Sequence, residues 1–232
     1  MATNIILFLV FIALLFLMAY RKPTKKIIVF FGDSITEQAK GLTGFISLIN
    51  RKIEAQDWVK KYQTIGAGIS GNRVYDLHLR IGKDVLSKSP YLTVVLIGIN
   101  DIWAKTKSGT GLDIERYEKF YREIIIQLLS ANSKIILCTL PVIGEKIDGE
   151  NLQDEDLNLY SNVVKSLAAE YNLNVCDLRA AFTHHIQQFN YENVSEGILT
   201  ADGVHLNEEG NKLVATYLWE TIKIALNIKT KD

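Results

Sequence analysis

Apolar residues fall along this chain in short runs and in spaced stripes, and the two kinds alternate. Ile27-Ile28-Val29-Phe30-Phe31 is a β-branched and aromatic run that stops at Gly32-Asp33-Ser34. That pattern predicts a buried strand, a tight turn and a helix start. Phe45, Ile46, Leu48, Ile49 and Ile53 follow at helical spacing. Residues 59–65 read as a second strand, which closes in the glycine-rich loop 66–72. A helix through Val74, Leu77, Leu79 and Val85 comes next. Residues 91–97 form a near-continuous apolar run, the mark of a strand buried on both faces, and end at Gly98-Ile99-Asn100-Asp101.

The second half repeats the alternation. A stripe of Ile114, Tyr117, Tyr121, Ile124, Ile125 and Leu128 leads to a strand at 134–140, stopped by Pro141. Leu159, Tyr160, Val163, Val164, Leu167 and Tyr171 form another helical stripe before a short strand at 173–176. Beyond Asp177 a helical turn and an irregular segment run to Thr200. Asp202-Gly203-Val204-His205-Leu206 then enters a last helix, with Asn207 as N-cap and Glu208 and Glu209 in the first turn. Its buried stripe is Leu213, Val214, Tyr217, Leu218 and Ile222. Five strands alternating with helices predict an α/β domain, a parallel sheet with helices on both faces. Gly32-Asp33-Ser34, loop 66–72 and Gly98-Ile99-Asn100 each follow a strand directly, so all three share one sheet edge, where such folds bind ligands. The acid-rich stretch 144–156 is a loop over the strand ends; its composition suits a lid and a plain solvated connection equally.

The N-terminus is different in kind. Ile5 to Tyr20 is a run of 16 apolar residues without a charge, followed by Arg21, Lys22, Pro23, Lys25 and Lys26. Roughly 20 apolar residues span a bilayer, whereas signal-peptide cores run about 7–15. With no Lys or Arg before it and no clean small-x-small cleavage pattern after it, the run reads as an uncleaved single-pass anchor. The expected organisation is therefore an anchor or signal segment over 1–25, in the membrane through residues 4–20, and one domain over 26–232. The flanking charges place that domain on the cytoplasmic side, while the chemistry argued below often works outside the cell.

Composition narrows the function classes. The 26 Lys+Arg balance 26 Asp+Glu with no basic stripe, so a nucleic-acid partner is not expected. Cys138 and Cys176 both fall in strand-like runs and read as buried thiols, not as a disulfide framework or metal site.

Acyl transfer needs a nucleophile, a base, a group that orients the base, and oxyanion donors. Ser34 is the nucleophile candidate. His205 follows Asp202 by three residues, a spacing that can set a carboxylate against Nδ1–H and leave Nε2 for the serine proton. The Ser34 and Gly68 backbone N–H groups and the Asn100 side-chain amide are candidate oxyanion donors, the glycine because it lets substrate approach its amide. Ile102, Trp103 and Ile143 are candidates for a small apolar substrate pocket.

Other residues are set aside. Ser70 has no base placed for it, adjacent His184 and His185 point about 100° apart on a helix, and His78 reads as structural. Asp33 is expected to bond amides around the serine turn, and Asp101 to bond the Asn100 turn. The glycines of 66–71 lack the Lys-Ser/Thr of a phosphate loop.

Gly32-Asp33-Ser34, Gly68-Ile69-Ser70-Gly71, Gly98-Ile99-Asn100-Asp101 and Asp202-Gly203-Val204-His205, in that order, resemble the four motif blocks of the SGNH hydrolases, the GDSL lipase/esterase family. The resemblance departs at Ile35, where the family name has leucine. It implies a three-layer α/β/α flavodoxin-like fold with a five-stranded parallel sheet in the order 2-1-3-4-5. It also implies Ser34 as nucleophile, His205 as base with Asp202, and Gly68 and Asn100 as oxyanion donors, with no metal or cofactor. The expected activity is a serine esterase forming an acyl-enzyme on short-chain esters such as O-acetylated sugars. Two alternatives stand beside it: a lysophospholipase or thioesterase acting on lipid esters, and a non-catalytic anchored module holding a glycan or partner.

Overall fold

The computed structural model describes residues 25–147 and 149–228. The anchor expected at 1–25 therefore lies outside the described residues apart from Lys25. Among the described residues no helix is long and apolar enough to cross a membrane.

Five strands, β1 (Lys26–Gly32), β2 (Tyr62–Gly68), β3 (Leu92–Leu96), β4 (Lys134–Cys138) and β5 (Asn174–Cys176), form one sheet in the order β2-β1-β3-β4-β5. Every pairing is parallel, with Gly32 opposite both Gly68 on β2 and Leu96 on β3. The apolar run of β3 is buried at all five positions, as a strand covered on both faces must be. Each such aliphatic side chain contributes about 1.5–3 kcal/mol on burial.

The helices are α1 (Ser34–Gln38), α2 (Phe45–Ala55), α3 (Val74–Asp84), α4 (Ile99–Ser108), α5 (Ile114–Ser130), α6 (Asp154–Glu170), α7 (Leu178–Phe189) and α8 (Glu208–Ala225). On one face α2 packs beside α8; on the other α3 packs beside α5, and α5 beside α6. The α5 stripe of Tyr117, Tyr121, Ile124, Ile125 and Leu128 is wholly buried against the sheet. Asn207 caps α8 as expected, its Oδ1 accepting from Gly210 N at 2.9 Å.

Four details differ from the sequence reading. The second strand starts at Tyr62, not at 59, because Val59 to Lys61 turn out of α2 and the strand runs on into the glycines. Tyr217, placed on the buried stripe of the last helix, is 40% exposed, and Leu79, on the helix read through Val74 and Leu77, is 76% exposed. Gly98-Ile99-Asn100-Asp101 does not end in an extended turn: helix α4 starts at Ile99. The segment after Asp177 is a full helix of 12 residues. Cys138 and Cys176 are both free and buried.

Candidate active site

The carboxyl ends of β1, β2 and β3 come together with the loop before α8. At the end of β1, Asp33 caps α1 by accepting from Ile35 N at 3.0 Å, which turns the chain so that Ser34 opens the helix. Ser34 Oγ lies 3.0 Å from His205 Nε2, and His205 Nδ1 lies 2.7 Å from Asp202 Oδ2. The other oxygen, Asp202 Oδ1, accepts from Val204 N at 3.0 Å and His205 N at 2.7 Å. Partial burial pushes the Asp202 carboxyl up, but the His205 ring and these two amides outweigh it and hold it below the usual carboxylate range. An ionised Asp202 accepts from Nδ1–H, so Nε2 presents its lone pair to the serine hydroxyl. Gly203, between the two partners, sits at φ 82°, a left-handed conformation that suits glycine and folds Asp202 back onto His205.

Gly68 and Asn100 reach the same edge. A Cβ on Gly68 would lie 2.1 Å from Glu37 N and 2.5 Å from Thr36 C. The glycine therefore lets β2 press against the backbone of α1; its missing side chain faces the helix and not a substrate, as the sequence reading had it. Asn100, in the first turn of α4, donates one Nδ2 hydrogen to Asn72 O at 3.0 Å, which leaves the second for a ligand.

Arg80 was missed by the sequence reading. Its Nη2 donates to Gly32 O at 2.7 Å, Nη1 to Ala67 O at 3.0 Å and Nε to Asn72 Oδ1 at 2.6 Å. Asp84, one turn on, pairs with it at 2.8 Å, and the guanidinium lies 4.5 Å from the centroid of the Phe31 ring. One side chain thus ties together the ends of β1 and β2 and the loop that holds Asn100. No residue pattern marks it, because Arg80 lies in a polar stretch of helix where a solvated charge is the ordinary expectation.

Two buried acids lie below the serine. Burial pushes Asp33 up to about 7, against the pull of the Ile35 amide and of His205. Its Oδ2 is buried without a hydrogen-bond partner among the described residues. Burial likewise pushes Asp101 up to about 7, against the Val74 amide that donates to it at 3.1 Å. Asp101 therefore caps α3 and does not bond the Asn100 turn, because helix α4 directs its carboxyl toward the start of α3. Among the described residues no His, Cys, Asp or Glu cluster is arranged to hold a metal.

Two grooves reach residues of the site, one at Asn100 and the other at Asp202. One, of about 520 Å³, is lined by Gly71, Arg73, Asn100, Trp103, Ala104, Lys107 and Ser108. The other, of about 280 Å³, runs from Trp103 and Ile143 past Asn151–Gln153 and Glu196 to Asp202, Gly203 and Val204. Trp103 borders both and Ile143 one. Ile102 lines neither: it is fully buried on the core side of α4, which corrects its assignment to the substrate pocket. His78 and His185 lie away from the site, packed on Phe120 and Phe189.

Residues 30–213 match the family described as GDSL-like Lipase/Acylhydrolase, and the chain belongs to that family. It is 26% identical over 203 residues to an acetylxylan esterase of Geobacillus stearothermophilus, covering 81% of this chain and 90% of that one. It is 25% identical over 219 residues to the GDSL esterase/lipase CPRD49 of Arabidopsis thaliana, covering 88% and 81%. Among solved structures, an acetyl xylan esterase, AlAXEase, superposes with a TM-score of 0.83 at 45% identity, over 84% of this chain and 99% of that one.

Proposed function

We propose that this protein is a serine esterase that removes acetyl groups from sugars through an acyl-enzyme on Ser34. The observation that carries the reading is the Ser34–His205–Asp202 relay, with contacts of 3.0 and 2.7 Å. Ser34 Oγ attacks the ester carbonyl carbon as its proton passes to His205 Nε2, and Asp202 stabilises the imidazolium that forms. The oxyanion takes hydrogen bonds from the Ser34 and Gly68 N–H groups and the free Asn100 amide hydrogen. On collapse, His205 protonates the departing alcohol. It then deprotonates a water that attacks the acyl carbon, releasing the acid and restoring Ser34.

A sugar ester suits the two grooves. Arg73, Asn100, Lys107, Asn151, Gln153 and Glu196 offer hydrogen bonds around a single aromatic, Trp103. The acetylxylan esterases among the relatives and solved structures support the same substrate class. The reading is tested with p-nitrophenyl acetate, butyrate and octanoate beside acetylated xylo-oligosaccharides. The acetyl compounds are expected to turn over fastest; preference for octanoate would move the assignment to lipid esters.

In this reading residues 4–20 anchor the enzyme in a membrane. Carbonate extraction of membranes, followed by protease protection in intact cells, tests the anchor and the side.

A further inference from the structure

Glu145 is a carboxylate with no exposure at all. Its Oε1 accepts from Leu199 N at 2.6 Å, Thr200 N at 2.6 Å and Thr200 Oγ1 at 2.9 Å, and its Oε2 from Ile198 N at 2.7 Å. Its own backbone is held by the same region, donating from N to Ser195 O at 2.9 Å and accepting at O from Asn190 Nδ2 at 2.6 Å. Buried side-chain oxygens are tolerated only when donors converge on them, and here three consecutive amides and a hydroxyl do so.

The contacts continue to the histidine. Thr200 Oγ1, while donating to Glu145, accepts from Gly203 N at 3.1 Å, and Gly203 O accepts from Gly144 N at 2.7 Å. Both polar backbone atoms of Gly203 are therefore fixed by Glu145, through Thr200, and by its neighbour Gly144. Ala201 N donates to His205 O at 2.8 Å and closes the turn. Asp202 is itself half-exposed, so the geometry of its contact with His205 comes from this backbone and not from packing around its carboxylate.

We propose that Glu145 is a positioning residue for the base: it clamps the 195–205 loop so that Asp202 meets His205 Nδ1 and Nε2 meets Ser34. The stretch that composition suited to a lid or a solvated connection thus begins with the anchor of the base-carrying loop. The inference rests on His205 acting as the base. Loosening the clamp weakens the Asp202–His205 contact, which destabilises the imidazolium. The acid limb of kcat/KM, which reports protonation of the free enzyme's base, then moves to lower pH.

The test compares the full-length wild type with Glu145→Ala, Glu145→Gln and Thr200→Val on p-nitrophenyl acetate, with melting temperatures recorded alongside. Expected for Glu145→Ala is a fall in kcat of about 10- to 100-fold with KM within about twofold, and an acid limb displaced downward by about half a pH unit or more. Glu145→Gln, which can keep the Oε1 bonds, is expected to recover part of both effects. Thr200→Val, which removes the hydroxyl that bonds both Glu145 and Gly203 but keeps the three amides on the carboxylate, is expected to move the limb the same way by less. Folded variants with wild-type kcat and an unmoved limb overturn the proposal, as does a loss of activity that follows melting temperature alone. If Glu145→Ala does not fold, Thr200→Val decides by the same criterion. Wild-type turnover in His205→Ala would instead overturn the assignment of the base.

Discussion

Arg80 Nε lies 2.6 Å from Asn72 Oδ1, and Asn72 O in turn holds the Asn100 amide at 3.0 Å. A cation on helix α3 thereby sets the orientation of a proposed oxyanion donor on helix α4 without touching it. Arg80→Ala takes the side-chain donor from Ala67 O, one of two donors from Gly32 O, and the cation from beside the partly exposed Asp84; an orphaned buried group costs about 1–3 kcal/mol. The expected outcome is a loss of about 1–3 kcal/mol in urea denaturation and a kcat on p-nitrophenyl acetate lower by about tenfold or more. Arg80→Lys, a point charge without the planar fork, is expected to recover little of either.

Asn100→Ala removes the proposed donor itself. Loss of one oxyanion-hole hydrogen bond typically costs about 10²–10³ in kcat, with KM little changed because the bond strengthens in the transition state. Steady-state kinetics on p-nitrophenyl acetate check this. A change confined to KM would instead make Asn100 a ground-state binding residue.

Gly68→Ala is predicted to be more damaging than its size suggests. The added carbon would meet backbone at Glu37 and Thr36, which cannot move aside without displacing α1 and Ser34. Overpacking of this kind costs about 1–3 kcal/mol, and three close backbone atoms of Asp33, Thr36 and Glu37 place this position at the upper end. Thermal unfolding and residual activity should fall together.

The buried acids give stability an inverted dependence on pH. Asp33 and Asp101 have ordinary values of 3.8 and stand at about 7 in the folded protein. A raised folded value means that their contribution is full below about pH 4 and is lost as pH rises through about 7. Asp202 runs the other way: its lowered value contributes stability above the ordinary carboxylate range that is lost on acidification. The urea midpoint of the wild type is therefore expected to fall between pH 5 and pH 8. In Asp101→Asn, whose amide oxygen still accepts from Val74 N, the accompanying fall in unfolding free energy should shrink by an amount on the order of 3 kcal/mol. An equal pH dependence in the two proteins would refute the assignment.

The strands buried on both faces were plain in the sequence because their apolar runs have no other use. The turns at Gly32-Asp33-Ser34 and Gly98-Ile99-Asn100 were plain because each follows such a run. The edge strand β2 was harder: it pairs through its backbone while carrying Gly66 and Gly68, so side-chain propensity marks its end too early. Helix α4 hid because Lys105, Lys107 and Ser108 dilute its stripe around buried Ile99, Asp101 and Ile102. Ser34, Asp202 and His205 were legible since each lies in a short motif. Arg80 and Glu145 were not, because their partners are backbone atoms 48 residues away for Gly32 and 53 residues away for Ile198. A charged side chain that bonds main chain leaves no pattern of residue types to read.

The central claim is that Ser34 carries the acyl group. Acid quenching of the full-length protein during turnover of p-nitrophenyl acetate, followed by peptide mass spectrometry, tests it most directly. An acetyl group is expected on Ser34 of the wild type, and in Ser34→Ala neither that adduct nor turnover above about 10⁻⁴ of wild type. An unmodified Ser34 during turnover, together with undiminished hydrolysis by Ser34→Ala, would contradict it.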